Sequence, residues 1–274
     1  MVLRSLLPSL LATLVLATGS ASARAGQETV ASLPPVALLV EAVMGDHVAT
    51  LGGGGHAHGG SLRPTGRRAL DDADLVFWIG PALEPALADL ASDGVALGSV
   101  PGVARRTVEG GASDPHVWLS PDNALAMLAA IESALAERDA EGAERYRSNR
   151  KAAEAAIADA VAEIRAALDP LAGRSYVVEH DAYGHFADAM GLAPAIALSP
   201  GDGPAAGARR LREVAREAEA SRARCLIVEP GSGGRLARTL GLRAVEIDPL
   251  GMRAETYPDL LRAVAQGFAD CLGG

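Results

Sequence analysis

Between Gly142 and Asp169-Pro170 the chain contains neither glycine nor proline, and the stretch from Glu141 to Leu168 is dense in Ala, Glu and Arg. Ala152, Ala155, Ile157, Ala160, Val161, Ile164 and Leu168 recur at helical spacings, which predicts a single helix about 40 Å long at 1.5 Å per residue. Short apolar runs alternate with longer amphipathic stretches on both sides of it, the pattern of βα units. Before it, Thr29–Ser32 reads as a strand and residues 35–43 as a helix. Asp74-Leu75-Val76-Phe77-Trp78-Ile79, ended by Gly80-Pro81, has the continuous apolar character of a strand buried on both faces. Ser120-Pro121-Asp122-Asn123 opens another helix, with Ser120 as N-cap and Pro121 at N1.

After the long helix, strands are expected over residues 175–178, 195–198, 225–228 and 244–247. Helices are expected over 206–220, 234–240 and 258–272. The resulting fold class is α/β: two (βα)-type lobes with parallel sheets, residues 26–140 and 171–274, joined by a linking helix at 141–170. A cleft between two such lobes is the natural place for a ligand.

Residues 1–25 read as an export signal. Arg4 supplies a short basic region, Leu6 to Ala17 a mostly apolar run, and Ala21-Ser22-Ala23 and Ala23-Arg24-Ala25 both fit a small-x-small cleavage pattern. The run is shorter than the ~20 residues of a spanning helix, and Pro8 interrupts it. No Cys stands near the cleavage site to carry a lipid anchor, so cleavage near residues 23–25 yields a free, exported and, in Gram-negative terms, periplasmic chain, taken as a monomer. Cys225 and Cys271, the two cysteines, form a candidate disulfide in such an oxidising compartment, with two separate buried thiols as the alternative. Asp and Glu number 34 against 25 Lys and Arg, for a formal charge of −9. No basic surplus exists to neutralise phosphates, which argues against a nucleic-acid partner. At 3% aromatic, the chain also lacks the rings for a stacking platform.

Six histidines remain to be placed: His47, His56, His58, His116, His180 and His185. None forms a zinc-finger or HExxH spacing. His56 and His58 lie in the loop Gly52-Gly53-Gly54-Gly55-His56-Ala57-His58-Gly59-Gly60, and His116 in Asp114-Pro115-His116-Val117-Trp118. His180 follows the expected strand Tyr176-Val177-Val178 after Glu179, and Asp248 stands at the end of the strand at 244–247. Ligands of parallel α/β folds bind beyond the carboxyl ends of strands, so these side chains can converge. Each one also has an ordinary structural role open to it, and spacing alone establishes no site.

The segments His58-Gly59-Gly60-Ser61-Leu62-Arg63-Pro64, Ala73 to Gly80, Asp114-Pro115-His116-Val117-Trp118-Leu119, His180-Asp181-Ala182-Tyr183-Gly184, Val228-Glu229-Pro230 and Ile247-Asp248-Pro249-Leu250-Gly251 occur in that order. Together they resemble the zinc-binding periplasmic component of high-affinity zinc ABC importers, within the metal-binding cluster of solute-binding proteins. The resemblance covers nearly all of the chain after the signal. It implies two lobes, a rigid connecting helix and a metal between them, with no catalytic activity. It also implies His58, His116 and His180 as zinc ligands, Asp248 or a water as the fourth, and a disulfide between Cys225 and Cys271. The loop carries Ala57 and Gly60 where the family has a small-Pro-His-x-aromatic lead, which makes His56 an additional candidate ligand. The segment from Pro101 to Asp114 has no His, so the acidic His-rich loop of many members is missing.

Three neutral imidazoles with one oxygen donor make a borderline-soft tetrahedral set that suits Zn²⁺. Manganese-binding relatives carry a harder carboxylate where His180 stands. Asp181 and Glu229 are candidate acceptors for imidazole N–H groups behind the metal. The implied partner is the membrane subunit of an ABC permease, to which zinc is delivered. Two other readings use the same residues: a manganese- or iron-binding relative, and a secreted zinc hydrolase. For the hydrolase, Glu179 is poorly placed as a base, because neighbours on an extended segment face opposite ways.

Overall fold

In the computed structural model, residues 28–51, 62–199, 207–232 and 234–274 are described. The signal segment, with its cleavage and lipid-anchor expectations, lies outside them, as do His56 and His58. Among the described residues, eight strands and eight α-helices follow in chain order: β1 (Thr29–Ala31), α1 (Pro34–Met44), β2 (Ala49–Thr50), α2 (Pro64–Asp72), β3 (Leu75–Trp78), β4 (Val95–Ala96), α3 (Pro121–Arg138), α4 (Ala143–Leu168), β5 (Val177–His180), α5 (Gly184–Met190), β6 (Ile196–Ser199), α6 (Ala208–Ser221), β7 (Cys225–Val228), α7 (Arg235–Leu240), β8 (Arg243–Glu246) and α8 (Tyr257–Gly273). They form two separate four-stranded sheets, ordered β2-β1-β3-β4 and β6-β5-β7-β8, and every pairing in both is parallel.

The near-continuous apolar strands are explained by burial on both faces. Along β3, Leu75 and Phe77 enter the main core, while Val76 and Trp78 pack with Val30, Leu51 and Leu70 on the opposite face. Along β7, Cys225 and Ile227 point to the main core, and Leu226 and Val228 join Val177, Val214, Ala218 and Ala237 outside. This period-two alternation lets a strand without polar residues keep a unique register. Buried Glu84 joins the ends of two strands in the first lobe. It accepts hydrogen bonds from Ser32 Oγ at 3.0 Å and from the Ile79 N–H at 2.9 Å. Burial pushes its carboxyl above the ordinary range, against the pull of these hydrogen bonds.

The main core is continuous between the lobes. It runs from Leu39 and Phe77 through Leu128, Ile131, Ile157 and Ile164 to Tyr257, Leu261 and Phe268. Helix α3 starts as its sequence predicts: Ser120 Oγ accepts the Asn123 N–H at 3.3 Å, and Pro121 stands at N1. Helix α4 is 26 residues long, about 39 Å, and buries Tyr146, Ile157, Ala160, Ile164 and Leu168. Ala152 and Ala155, expected on that face, are exposed. Stepping back from Ile157 in turns of 3.6 residues leads to Ala153 and Tyr146, so the two alanines belong to the solvent side.

Buried hydrogen bonds stitch the lobes together. Trp118 Nε1 donates to the Pro249 carbonyl at 2.8 Å, and the Tyr257 hydroxyl donates to the Trp118 carbonyl at 2.7 Å. In the second lobe a disulfide joins Cys225 of β7 to Cys271 of α8, with a Cα–Cα distance of 5.5 Å. Among the described residues no helix is long and apolar enough to cross a membrane.

Candidate metal centre

His116 sits between the lobes in the turn before α3. Pro115 restricts the backbone ahead of it, and Asp114 brings its side chain back over the turn to accept the His116 N–H at 3.0 Å. The same carboxylate oxygen lies 2.9 Å from His116 Nδ1. Burial raises the pKa of Asp114, but the hydrogen bonds and charge of His116 outweigh that, and the carboxyl is held below the ordinary range. An ionised carboxylate only accepts. Nδ1 therefore carries a proton, and in the neutral ring that metal binding requires it is Nε2 that is left with the lone pair.

His180 comes from the other lobe. It is the last residue of β5 rather than a residue beyond the strand, and pairing with Ser199 of β6 places it at the carboxyl end of the sheet. Its ring centroid lies 5.4 Å from that of His116, with the planes inclined at 49°. Glu229 follows β7, and its Oε1 stands 3.4 Å from His180 Nε2. That is longer than a charge-assisted hydrogen bond and close to the ~3.3 Å between two donors sharing one tetrahedral ion at metal distances of about 2.0–2.1 Å. Asp248 follows β8, and its carboxylate accepts the N–H groups of Leu250 at 2.9 Å and Met252 at 2.7 Å. These two bonds fix the turn in which it sits.

Of the residues singled out in the sequence, the fold brings His116, His180 and Glu229 together. Among the described residues no three His, Cys, Asp or Glu side chains converge tightly enough to hold an ion by themselves. Asp181 directs its carboxylate to Arg106 Nη1, at 2.9 Å. The acceptor behind His116 is Asp114, which the sequence reading did not assign. Its position two residues before His116, with Pro115 between, was the signal available. Arg106 and His185 were missed as well. Arg106 Nη1 also pairs with Asp114 Oδ2 at 3.0 Å, and Nε lies 3.3 Å from Asp188 Oδ2. His185, buried in α5, stands 4.0 Å from Asp114 Oδ2. Burial lowers its pKa more than the nearby Asp114 raises it. His47 is exposed and paired with Glu41 at 2.7 Å, away from this cluster.

The chain is similar to known proteins over nearly all of its described length. The sequence profile of the family ZnuA, zinc-uptake complex component A periplasmic, matches residues 29–271. The chain is 34% identical to the high-affinity zinc uptake system protein ZnuA of Paracoccus denitrificans, over 97% of this chain and 98% of that protein. It is 28% identical to the protein of the same name from Brucella abortus, over 93% and 94%. A crystal structure of ZnuA superimposes with a TM-score of 0.78 at 25% identity, covering 89% of this chain and 98% of that one. The periplasmic zinc binding protein TroA from Treponema pallidum shares the fold, with a TM-score of 0.78 at 19% identity over 90% and 99%. The chain thus belongs to the ZnuA family, the periplasmic zinc-binding components of ABC zinc importers, which are solute-binding proteins and not enzymes.

Proposed function

We propose that this chain captures one Zn²⁺ in the cleft between residues 26–140 and 171–274, with His58, His116, His180 and Asp248 as ligands. It then delivers the ion to the membrane subunit of an ABC permease. His56, two residues from His58, is the additional candidate donor on the glycine-rich loop. Glu229 stands beside His180, where a carboxylate adds negative charge to the ion's surroundings. The chain acts as an exported monomer, released from residues 1–25 by cleavage near 23–25, with no lipid anchor, and residues 141–170 link its lobes.

The observation that carries this reading is the approach of His116 and His180 from opposite lobes. Two imidazoles that share a tetrahedral zinc at about 2.0–2.1 Å have ring centroids roughly 5 Å apart, and these two are separated by 5.4 Å. The buried ties Trp118–Pro249 and Tyr257–Trp118 favour capture by movement of the loops over the ion, with little hinge opening of the lobes.

The test is metal stoichiometry and selectivity of the secreted chain, compared with His58→Ala, His116→Ala and His180→Ala. One zinc per chain is expected, with affinity reduced in every variant. Undiminished zinc binding in the His116→Ala and His180→Ala proteins would sink the assignment.

A further inference from the structure

The charges behind the two histidines form a cross-lobe arrangement that neither histidine explains. Arg106 and Asp114 lie on a short hairpin of the first lobe. Thr107 pairs with Ser113 across it, and the Asp114 N–H donates to the Arg106 carbonyl at 2.8 Å. Asp181 and Asp188 belong to the second lobe, in the turn after β5 and in α5. The Arg106 guanidinium reaches across, and its Nη1 lies 3.0 Å from Asp114 Oδ2 and 2.9 Å from Asp181 Oδ2. Asp114 is the residue that holds the His116 ring, and Asp181 is the residue that follows His180.

A second observation shows that space is reserved for this contact. Gly184 opens α5, and a Cβ there would overlap the guanidinium carbon of Arg106 and two of its three nitrogens, Nη1 and Nε. The tip of the same hairpin is also tied to the second lobe. Glu109 pairs with Arg210 at 3.1 Å, and Arg210 in turn donates to the Ala197 carbonyl of β6 at 2.7 Å. The three carboxylates differ in weight. The Asp188 side chain is 68% exposed, so its pair with Arg106 is screened by water. Asp114 at 0% and Asp181 at 11% are largely withdrawn from solvent. Without the guanidinium, these two carboxylates would face each other across the cleft uncompensated, at a cost that separation of the lobes or entry of water would relieve.

We propose that Arg106 is a positioning residue of the metal centre: by tying the carboxylate behind His116 to the one beside His180, it sets the separation of the two imidazoles. The proposal rests on the zinc-capture reading above. It makes a prediction opposite to that of simple proximity. A cation beside a metal site repels the metal, so deleting it as a mere charge strengthens zinc binding. Deleting a positioning residue weakens it.

The experiment compares zinc affinity, by competition with a chromophoric chelator, for the wild-type chain and for Arg106→Gln, Arg106→Lys and Gly184→Ala. Thermal melts confirm folding, and the Co²⁺ visible absorption of each protein reports ligand geometry. Gly184→Ala retains every charge and only displaces the guanidinium, so it remains decisive if Arg106→Gln does not fold. All three variants are expected to lose about tenfold or more in zinc affinity, the range for supporting partners of metal ligands, and to show altered Co²⁺ spectra. Adding Asp181→Asn to Arg106→Gln removes the uncompensated charge and is expected to recover part of the loss. Unchanged or tighter zinc binding in Arg106→Gln and Gly184→Ala, with a wild-type Co²⁺ spectrum, overturns the proposal while leaving zinc capture standing. A wild-type chain that binds no zinc overturns the capture reading and this proposal with it.

Discussion

Asp114→Asn probes the electrostatics behind His116 with the smallest change of shape. The carboxylate is fully buried and receives three hydrogen bonds: the His116 N–H at 3.0 Å, His116 Nδ1–H at 2.9 Å and Arg106 Nη1 at 3.0 Å. Asparagine keeps one acceptor oxygen and replaces the other with an NH₂ donor. If the oxygen stays on His116, the NH₂ confronts the Arg106 guanidinium, donor against donor. If the amide turns over, the NH₂ faces Nδ1 and forces the ring proton onto Nε2, the wrong tautomer for a metal ligand. Either arrangement forfeits at least one charge-assisted hydrogen bond, each worth about 1.5–3 kcal/mol. Outer partners of metal-bound imidazoles typically change affinity 10–100-fold, roughly 1.4–2.7 kcal/mol. Chelator competition near neutral pH measures the affinity, and urea unfolding of the metal-free protein measures the stability.

The pH dependence of that stability difference has a fixed sign. The Asp114 carboxyl is held below its ordinary range, so its contribution is complete above the unfolded value of about 3.9 and disappears as pH falls through the lower folded value. The gap between wild type and Asp114→Asn is therefore expected to be constant near neutrality and to close below about pH 4. A folded Asp114→Asn protein with wild-type zinc affinity would refute the argument that this carboxylate sets the His116 tautomer.

Imidazole ligands must shed a proton before they bind, and free His titrates near 6.5, so zinc affinity should hold at mildly alkaline pH and weaken below roughly pH 6. A titration that stays flat into more acidic solution would contradict histidine ligation. Tyr257→Phe deletes the buried donor to the Trp118 carbonyl and leaves that carbonyl unpaired, at a cost of about 1–3 kcal/mol in denaturant unfolding. Unaltered stability would mean that this tie between the lobes contributes nothing. The Cys225–Cys271 bridge spans 46 positions, and its replacement by two serines should lower stability by roughly 3–4 kcal/mol, read as a shift in the urea midpoint.

The strands and long helices of this chain were legible because their signals are local. The apolar run of β3 reports burial on both faces. Ser120 and Pro121 mark the start of α3, and the stretch free of Gly and Pro predicts α4 closely at both ends. Four short elements, β2, α2, β4 and α5, were not anticipated. Two strands of two residues and helices of nine and seven residues carry too few turns of periodicity to stand out from loops. Even in α4 the periodicity overshot at Ala152 and Ala155, since alanine favours a helix without declaring which face is buried.

At the centre, sequence resemblance singled out His116, His180, Glu229 and Asp248 by residue type and motif, and it implied the pairing of Cys225 with Cys271. It did not assign Asp114 as the acceptor behind His116, and it gave no sign of Arg106. Arg106 meets Asp181 across 75 residues of chain, and the arginine's long side chain leaves no periodic mark on the sequence around it. Residue chemistry and local spacing decided which elements form and which groups are able to bind a metal. The distance between His116 and His180, and the sharing of one guanidinium by carboxylates of two lobes, arose only when the common core of α1, α3, α4 and α8 set those lobes side by side. Contacts between distant segments are selected by the packing of everything around them.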